Sequence, residues 1–444
     1  MIASGPSVKV EGSNECTEHP LSMMPMTDRL RLVLLSFVAM TVSLPMAWIS
    51  LGKLVLFLTG LMYLSVRGIK NDKDDAISGL WTVKVVLLIV AAFGTSLLFT
   101  VAPADIALQA FAKHSKLLAI VLLIVLLRTK KEAAWVLLVF LVSQAFFIVT
   151  SWVMAAGISV PWVTSLDVPQ YRYVVFSTYL DQTLIFAGTA AVFWHLRSQL
   201  GRYPWVWIAL ALAALVNNVF LQEGRTGYIA SLVVLSLAIM WLVPRRLRLP
   251  TVVVIPMVLM TALYMGSSLV QKRVSLAVSE MQTYSTTGTG QTSSSGFRLQ
   301  AWKRSLQAIA EEPAFGHGVG AWTTTVRRLE GERADEYFGK NLGSNAHQEY
   351  LMWGVELGVM GLLLFVAFIV ALIRDALTFA QPISRAIISI AAVVAVVCLF
   401  NASMYDALIG DYFCVTLGVL MAVGLRGQKT TQHPKHGSDQ GMQA

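Results

Sequence analysis

Charge is the scarcest property of this chain. Only 13% of its 444 residues are Asp, Glu, Lys or Arg, while 56% are hydrophobic and the mean hydropathy is +0.65. A soluble domain of this length has no use for so much apolar surface, and runs of about 20 apolar residues recur, which marks a polytopic membrane protein. Cysteine is nearly absent too. Three residues exclude a disulfide framework: Cys16 lies in a polar N-terminal tail, and Cys398 and Cys414 lie in apolar runs that read as core. No CxxC occurs and no persuasive metal site is found, so none is expected. Acidic residues are fewer than basic ones, 25 against 34, giving a net charge of +9. In a membrane chain that excess reads as Lys and Arg holding topology rather than as a nucleic-acid surface.

What is present is a regular alternation. Twelve apolar stretches begin near Arg29, Ile49, Gly79, Ala110, Ala133, Tyr179, Tyr203, Gly227, Pro250, Tyr350, Arg385 and Ile409. Connections such as VRGIKNDK, RTKKE, RSQLGR and PRRLRLP are basic; those between them are poor in positive charge, and MYDALIGD carries only negative charge. The positive-inside rule puts the basic set, and both termini, in the cytoplasm. The expected organisation is a disordered tail (1–28), nine spans (29–270), a long external segment with amphipathic helices (271–349), three spans (350–426) and a cytoplasmic tail (427–444). Long segments cross largely regardless of charge, so basic residues in 271–349 do not contradict this.

The stretch from Ser344 to Phe365, SNAHQEYLMWGVELGVMGLLLF, stands out. Ser344 and Asn345 are suitable N-caps, which would place His347 in the first turn of a helix. Gly354, Gly358 and Gly361 follow on one face, a stripe that lets another helix approach closely. Alternation puts Arg225, in QEGRTG, on the same external side as His347. Arg225 is either a snorkelling anchor or an anion clamp, since a guanidinium binds phosphate with paired hydrogen bonds and a helix start adds N–H groups. Arg298 opens a helix, FRLQAWKRSLQAIAEE, whose Leu299, Trp302, Leu306 and Ile309 recur at helical spacing. It is either a solvated residue or an anion ligand at the interface. A Gly/Ser/Thr-rich, flexible run (284–296) precedes it, and TTTVRRLE reads as a further short helix.

Lesser signals are weighed beside these. Lys53 and Arg172 lie at external ends and could add positive field. GHGVG, with His317, reads as a flexible turn rather than a nucleotide loop, because no strand precedes it. Asp72-Lys73-Asp74 reads as a solvated charge run. Lys84 falls within the third span, where an ammonium is costly.

His347-Gln348, nine residues, then Gly358 and Gly361 resembles the signature of bacterial O-antigen ligases, which group with O-antigen polymerases and protein O-oligosaccharyltransferases. Arg225 in GRTGYI and Arg298 in FRLQAW look like the family's two essential arginines. The resemblance implies an all-α fold of about 12 transmembrane helices with a large helical periplasmic loop, the C-type glycosyltransferase class. It implies an inner-membrane enzyme working at the periplasmic face, with no cofactor. The donor would be a glycan on undecaprenyl diphosphate and the acceptor a hydroxyl of lipid A–core, with membrane lipids as surroundings and no nucleic acid partner. His347 would be the catalytic base, Arg225 and Arg298 would hold the diphosphate, and Gln348 would contribute beside them. A polymerase is the neighbouring reading, and a lipid-linked glycan transporter or flippase the reading from another class. The latter calls for paired charges at mid-membrane, whereas these lie at one face.

Overall fold

The structure is a computed structural model that describes residues 26–67, 75–163, 171–287, 294–331 and 345–428. The tail with Cys16, the Asp72-Lys73-Asp74 run, residues 288–293, Ser344 and residues 429–444 lie outside them. Among the described residues every regular element is helical. All twelve apolar stretches are helices: α1 (Met26–Thr41), α2 (Met46–Arg67), α4 (Trp81–Ser96) after the short α3 (Asp75–Ser78), the bent pair α5 (Ala104–Ser115) and α6 (Leu118–Leu126), α7 (Lys130–Ala155), α8 (Tyr179–Leu196), α9 (Pro204–Phe220), α10 (Arg225–Met240), α11 (Arg248–Gly266), α15 (Glu349–Ala376), α16 (Gln381–Val397) and α17 (Ala407–Gln428). Five helices are long and apolar enough to cross a membrane, six if α5 and α6 form one span broken by 41°. Between α11 and α15 lie α12 (Ser268–Thr287), α13 (Ser294–Glu311) and α14 (Trp322–Glu330).

Local chemistry sets these boundaries. Thr129 caps α7 by accepting from Glu132 N–H at 3.2 Å, and Thr178 with Asp181 forms a capping box on α8. Pro204 supplies the pre-set φ of a first helical residue to α9. The core is built around α17, buried along nearly its whole length against α6, α7, α8 and α16; α11 is buried along none of its span.

The connections join one another in two sets, one at each end. At one end Arg31 pairs with Glu132 at 2.9 Å, Asp375 accepts from Trp81 and Thr82 N–H at the start of α4, and Arg426 donates to the Leu127 and Ile124 carbonyls. At the other end Thr100 and Val101 bond to Val319 and His317, Arg225 pairs with Glu280, and Glu349 accepts from Met404 and Tyr405 N–H. The basic connection RTKKE falls in the first set, where Arg128 approaches Asp28 and its amide donates to Glu132, and the candidate site falls in the second.

Five expectations change. The run expected to be flexible contributes Tyr284–Thr287 to α12 and Ser294–Gly296 to α13. The buried face of α13 is small, Ala301, Ser305 and Ala308, and Leu306 is 59% exposed, because α13 packs tightly on α15. Lys84 sits in the first turn of α4, exposed, its ammonium 5.2 Å from the Trp81 ring, so it reaches the interface instead of lying in mid-span. The glycine stripe is not a continuous helical face. Gly354 does admit a neighbour, Ile309 of α13, but Gly358 has φ 64° and ψ −152° and breaks α15. Gly361 then fits over the Trp353 carbonyl. The break frees the carbonyls of Val355 and Glu356, which accept from His317 and Gly318 N–H at 2.9 Å each, and Val359 N–H, which donates to Pro313 O at 2.8 Å. Thus GHGVG is not a flexible turn. Its amides complete the broken helix, Gly320 N–H reaches Glu356 Oε1 at 2.7 Å, and Val319 N–H reaches Ser96 Oγ at 3.1 Å.

This break has a measurable requirement. Gly157 also has positive φ, 82°, but open space around it. Gly157→Ala should cost about 1–2 kcal/mol from backbone strain alone. Gly358→Ala should cost more, about 3 kcal/mol or above, because its Cβ would lie 2.5 Å from Pro313 O in a glycine-only conformation. Thermal unfolding in detergent compares the two, and equal losses would show that the break is not demanding.

Candidate functional site

Arg225 is the first residue of α10, and the glycines beside it explain its place. A Cβ at Gly224 or Gly227 would come 2.8 or 2.2 Å from the Thr183 side chain, so their absence lets the start of α10 sit directly on α8. The Arg225 guanidinium donates to Glu280 of α12 at 3.0 Å and to Ser295 of α13 at 2.9 Å, while Ser295 also bonds Glu280. Arg273 pairs with Glu223, tying α12 to the same turn.

Arg298 lies one turn into α13. Burial and the adjacent Arg225 lower its pKa, against the pull of Tyr179 and Glu280, so the two guanidiniums converge. Among the described residues no carboxylate lies within ion-pair distance of Arg298. Its neighbour Phe297 meets the His347 ring edge-on at 5.4 Å.

His347 precedes its helix rather than starting it. The N-cap of α15 is Gln348, whose side-chain oxygen accepts from Leu351 N–H at 2.5 Å, so the first-turn placement is corrected. His347 has φ 48°, and its amide donates to Asn345 Oδ1 at 2.9 Å in a local turn. Asn345 therefore shapes the turn and does not cap the helix. Burial, and then Arg298, push the His347 pKa down to about 4; a hydrogen bond with the Asn401 side chain opposes this. The imidazole is neutral at pH 7 and able to take a proton.

Sequence reasoning missed the opposite wall. Residues 398–406, between α16 and α17, bring Asn401 to His347 and carry Asp406. Burial, and then the neighbouring Asp181 and Glu349, raise Asp406 to about 7 despite Lys116 and Lys113. The only hint in the sequence was the purely acidic MYDALIGD. Glu280 and Ser295 left no pattern at all, since their role exists only where α12 and α13 meet α10.

Three weaker candidates find other employment. Lys53 pairs with Asp411 of α17 at 2.8 Å and adds no free positive field. Arg172 is exposed, its guanidinium 5.5 Å from the Tyr173 ring. Gln348 is committed to the α15 cap. His317 is buried with Nε2 3.0 Å from the Ala308 carbonyl, a structural bond.

A family model described as O-antigen ligase matches residues 209–366, a range that holds Arg225, Arg298 and His347 and stops short of Asn401 and Asp406. No curated protein matches the chain.

The electrostatics of the pocket give a direct expectation. In the protein with isotopically labelled histidine, His347 should titrate near 4 by NMR. Arg298→Gln removes a depressing charge and should raise that value toward 6.5; Asn401→Ala removes the opposing bond and should lower it. A wild-type value near 6.5 would contradict the buried, cation-flanked placement.

Proposed function

We propose, from the match of residues 209–366 to a family model described as O-antigen ligase, that this chain belongs to the O-antigen ligase/polymerase superfamily and is an O-antigen ligase. In this reading it is a 12-span C-type glycosyltransferase of the bacterial inner membrane, with its site on the periplasmic face. It moves a glycan from undecaprenyl diphosphate to a hydroxyl of lipid A–core. The observation that carries the reading is the convergence of two guanidiniums from α10 and α13 beside a neutral imidazole.

The chemistry follows from those groups. No nucleotide sugar is available outside the cytoplasm, so the donor arrives already activated as a lipid diphosphate. The acceptor oxygen attacks the anomeric carbon while the bond to the diphosphate oxygen breaks and its electron pair leaves with the lipid diphosphate. Arg225 and Arg298 offset the charge that develops there, with paired donors that lysine lacks. His347, held at its ring by Asn401, takes the hydroxyl proton. Direct displacement inverts the anomeric centre, and the two arginines make a metal unnecessary.

A second base is favoured by one observation. Asp406, at about 7, lies nearer the operating pH than His347, at about 4, and catalytic bases work best when so matched. The pH profile separates them. With His347 as base, kcat/KM stays level from pH 8 down to about 5, since the free imidazole is neutral throughout. With Asp406 as base, kcat/KM falls as pH drops through about 7, where the carboxylate is protonated.

Purified protein, a defined lipid-linked glycan and lipid A–core provide the assay. His347→Gln should lower transfer by about 10²–10⁴-fold while donor binding persists. Arg225→Lys and Arg298→Lys should weaken donor binding and transfer together. Near-wild-type transfer by His347→Gln would remove His347 as base. Extension of a second lipid-linked glycan in place of lipid A–core would make the protein a polymerase.

Sidedness is checked separately. Cysteines introduced at exposed Ile158 and Ser275 should react with an impermeant thiol reagent in cells with a permeabilised outer membrane, and one at Arg202 should not. Labelling of Arg202→Cys with protection of the other two would invert the topology.

A further inference from the structure

The segment 398–406 is an unusual piece of backbone. It is not helical, yet Ala402 and Ser403 are fully buried and Asn401, Met404 and Tyr405 nearly so. Buried backbone away from water needs partners, and a loop without regular structure must find them outside itself. Two ionisable side chains of opposite sign supply several of them here, one from α15 and one from the bend between α5 and α6.

Glu349, the first residue of α15, is fully buried. Its Oε2 accepts from Met404 N–H at 2.9 Å and Tyr405 N–H at 3.1 Å, its Oε1 accepts from Trp353 Nε1 at 2.9 Å, and its own amide donates to Cys398 O at 2.9 Å. Lys116, at the bend between α5 and α6, is 4% exposed. Its Nζ donates to Tyr405 O at 3.1 Å and Asp406 O at 2.6 Å. The nearby Asp411 carboxylate is held by Lys53 at 2.8 Å, which leaves the Lys116 ammonium for those carbonyls. The Tyr405 peptide is thus gripped at both ends, N–H by the carboxylate and C=O by the ammonium. The gripped segment carries Asn401, which bonds the His347 ring, and Asp406. Glu349 lies two residues after His347, so one short stretch of chain holds the imidazole and one jaw of the clamp.

We propose that Glu349 and Lys116 are positioning residues for glycosyl transfer. They fix segment 398–406 so that Asn401 orients His347. This rests on the transferase reading above. Neither residue touches the arginines that hold the donor, so the clamp governs the chemical step and not donor binding. A misplacement of about 1 Å at a reacting group can cost about 10²-fold in rate, which sets the size of the expected effect.

The test uses the full-length protein in detergent, with kcat and donor KM measured for wild type, Glu349→Gln, Asn401→Ala and the double variant Glu349→Gln/Lys116→Met. The double variant removes both charges together and so leaves no unpaired buried ion. It should fold, keep donor KM within about threefold of wild type and lose kcat by about 10–100-fold. Glu349→Gln keeps one acceptor oxygen and should fall between. Combining Asn401→Ala with Glu349→Gln should cost little more than the worse single change, because both act through one contact. Wild-type kcat in the folded double variant would overturn the proposal, as would a donor KM that rises in step with the loss of kcat. Multiplying losses in the Asn401 combination would also overturn it. Failure of both Glu349 variants to fold would assign the pair to stability and remove the positioning role. Absence of transfer in the wild type would instead remove the transferase reading, a distinct result.

Discussion

Backbone that leaves a helix in an apolar surrounding must still be hydrogen-bonded, and much of this structure answers that constraint. The break at Gly358 exposes two carbonyls and an amide in the middle of α15. Pro313, His317 and Gly318 take them up, which fixes the 313–320 turn to the helix it interrupts. Glu356, between the two, adds a carboxylate that accepts from Gly320 N–H and meets His114 Nε2 at 2.7 Å. Glu349 and Lys116 do the same for 398–406. Connecting segments that would be mobile on a soluble protein are therefore bonded into the helix bundle. A site assembled from such segments is as rigid as the spans.

That rigidity has an electrostatic consequence. Arg225 and Arg298 are held near each other although they repel, and the repulsion is relieved only in part by Glu280 and Ser295. Burial, and then Arg298, lower the His347 pKa. A dianionic ligand at the two guanidiniums would replace Glu280 as their counter-charge and ease the pressure on the imidazole. Cation pair and imidazole are thus coupled: what binds to the first changes the proton affinity of the second. Asp406, raised by burial and then by Asp181 and Glu349, lies in a separate charge cluster with Lys116 and Lys113.

Parts of this were open to direct reading. Apolar runs located the helices of all twelve apolar stretches, because hydropathy acts locally and needs no knowledge of contacts. Arg225, Arg298 and His347 were visible as charged or titratable residues at the ends of apolar runs, on one side by simple alternation. The glycines were visible as a pattern, but 3–4 spacing alone could not tell a helical stripe from a break. Only the collision of a Cβ with Pro313 O and the positive φ of Gly358 distinguish them. Lys53 looked like a free cation until Asp411, more than three hundred residues away, was placed beside it.

The sequence by itself therefore determined the class of the protein, its helices and the identity of three polar residues that apolar runs cannot ignore. Burial of apolar length and the distribution of Lys and Arg are properties of single segments, so they survive without a fold. The tertiary structure alone decided what those residues meet. It gave Arg225 a carboxylate, His347 an amide and a depressed pKa, and the 398–406 segment its two ionic partners. Each of these depends on a distance between segments remote in the chain, and electrostatic and hydrogen-bond energies exist only once that distance is set.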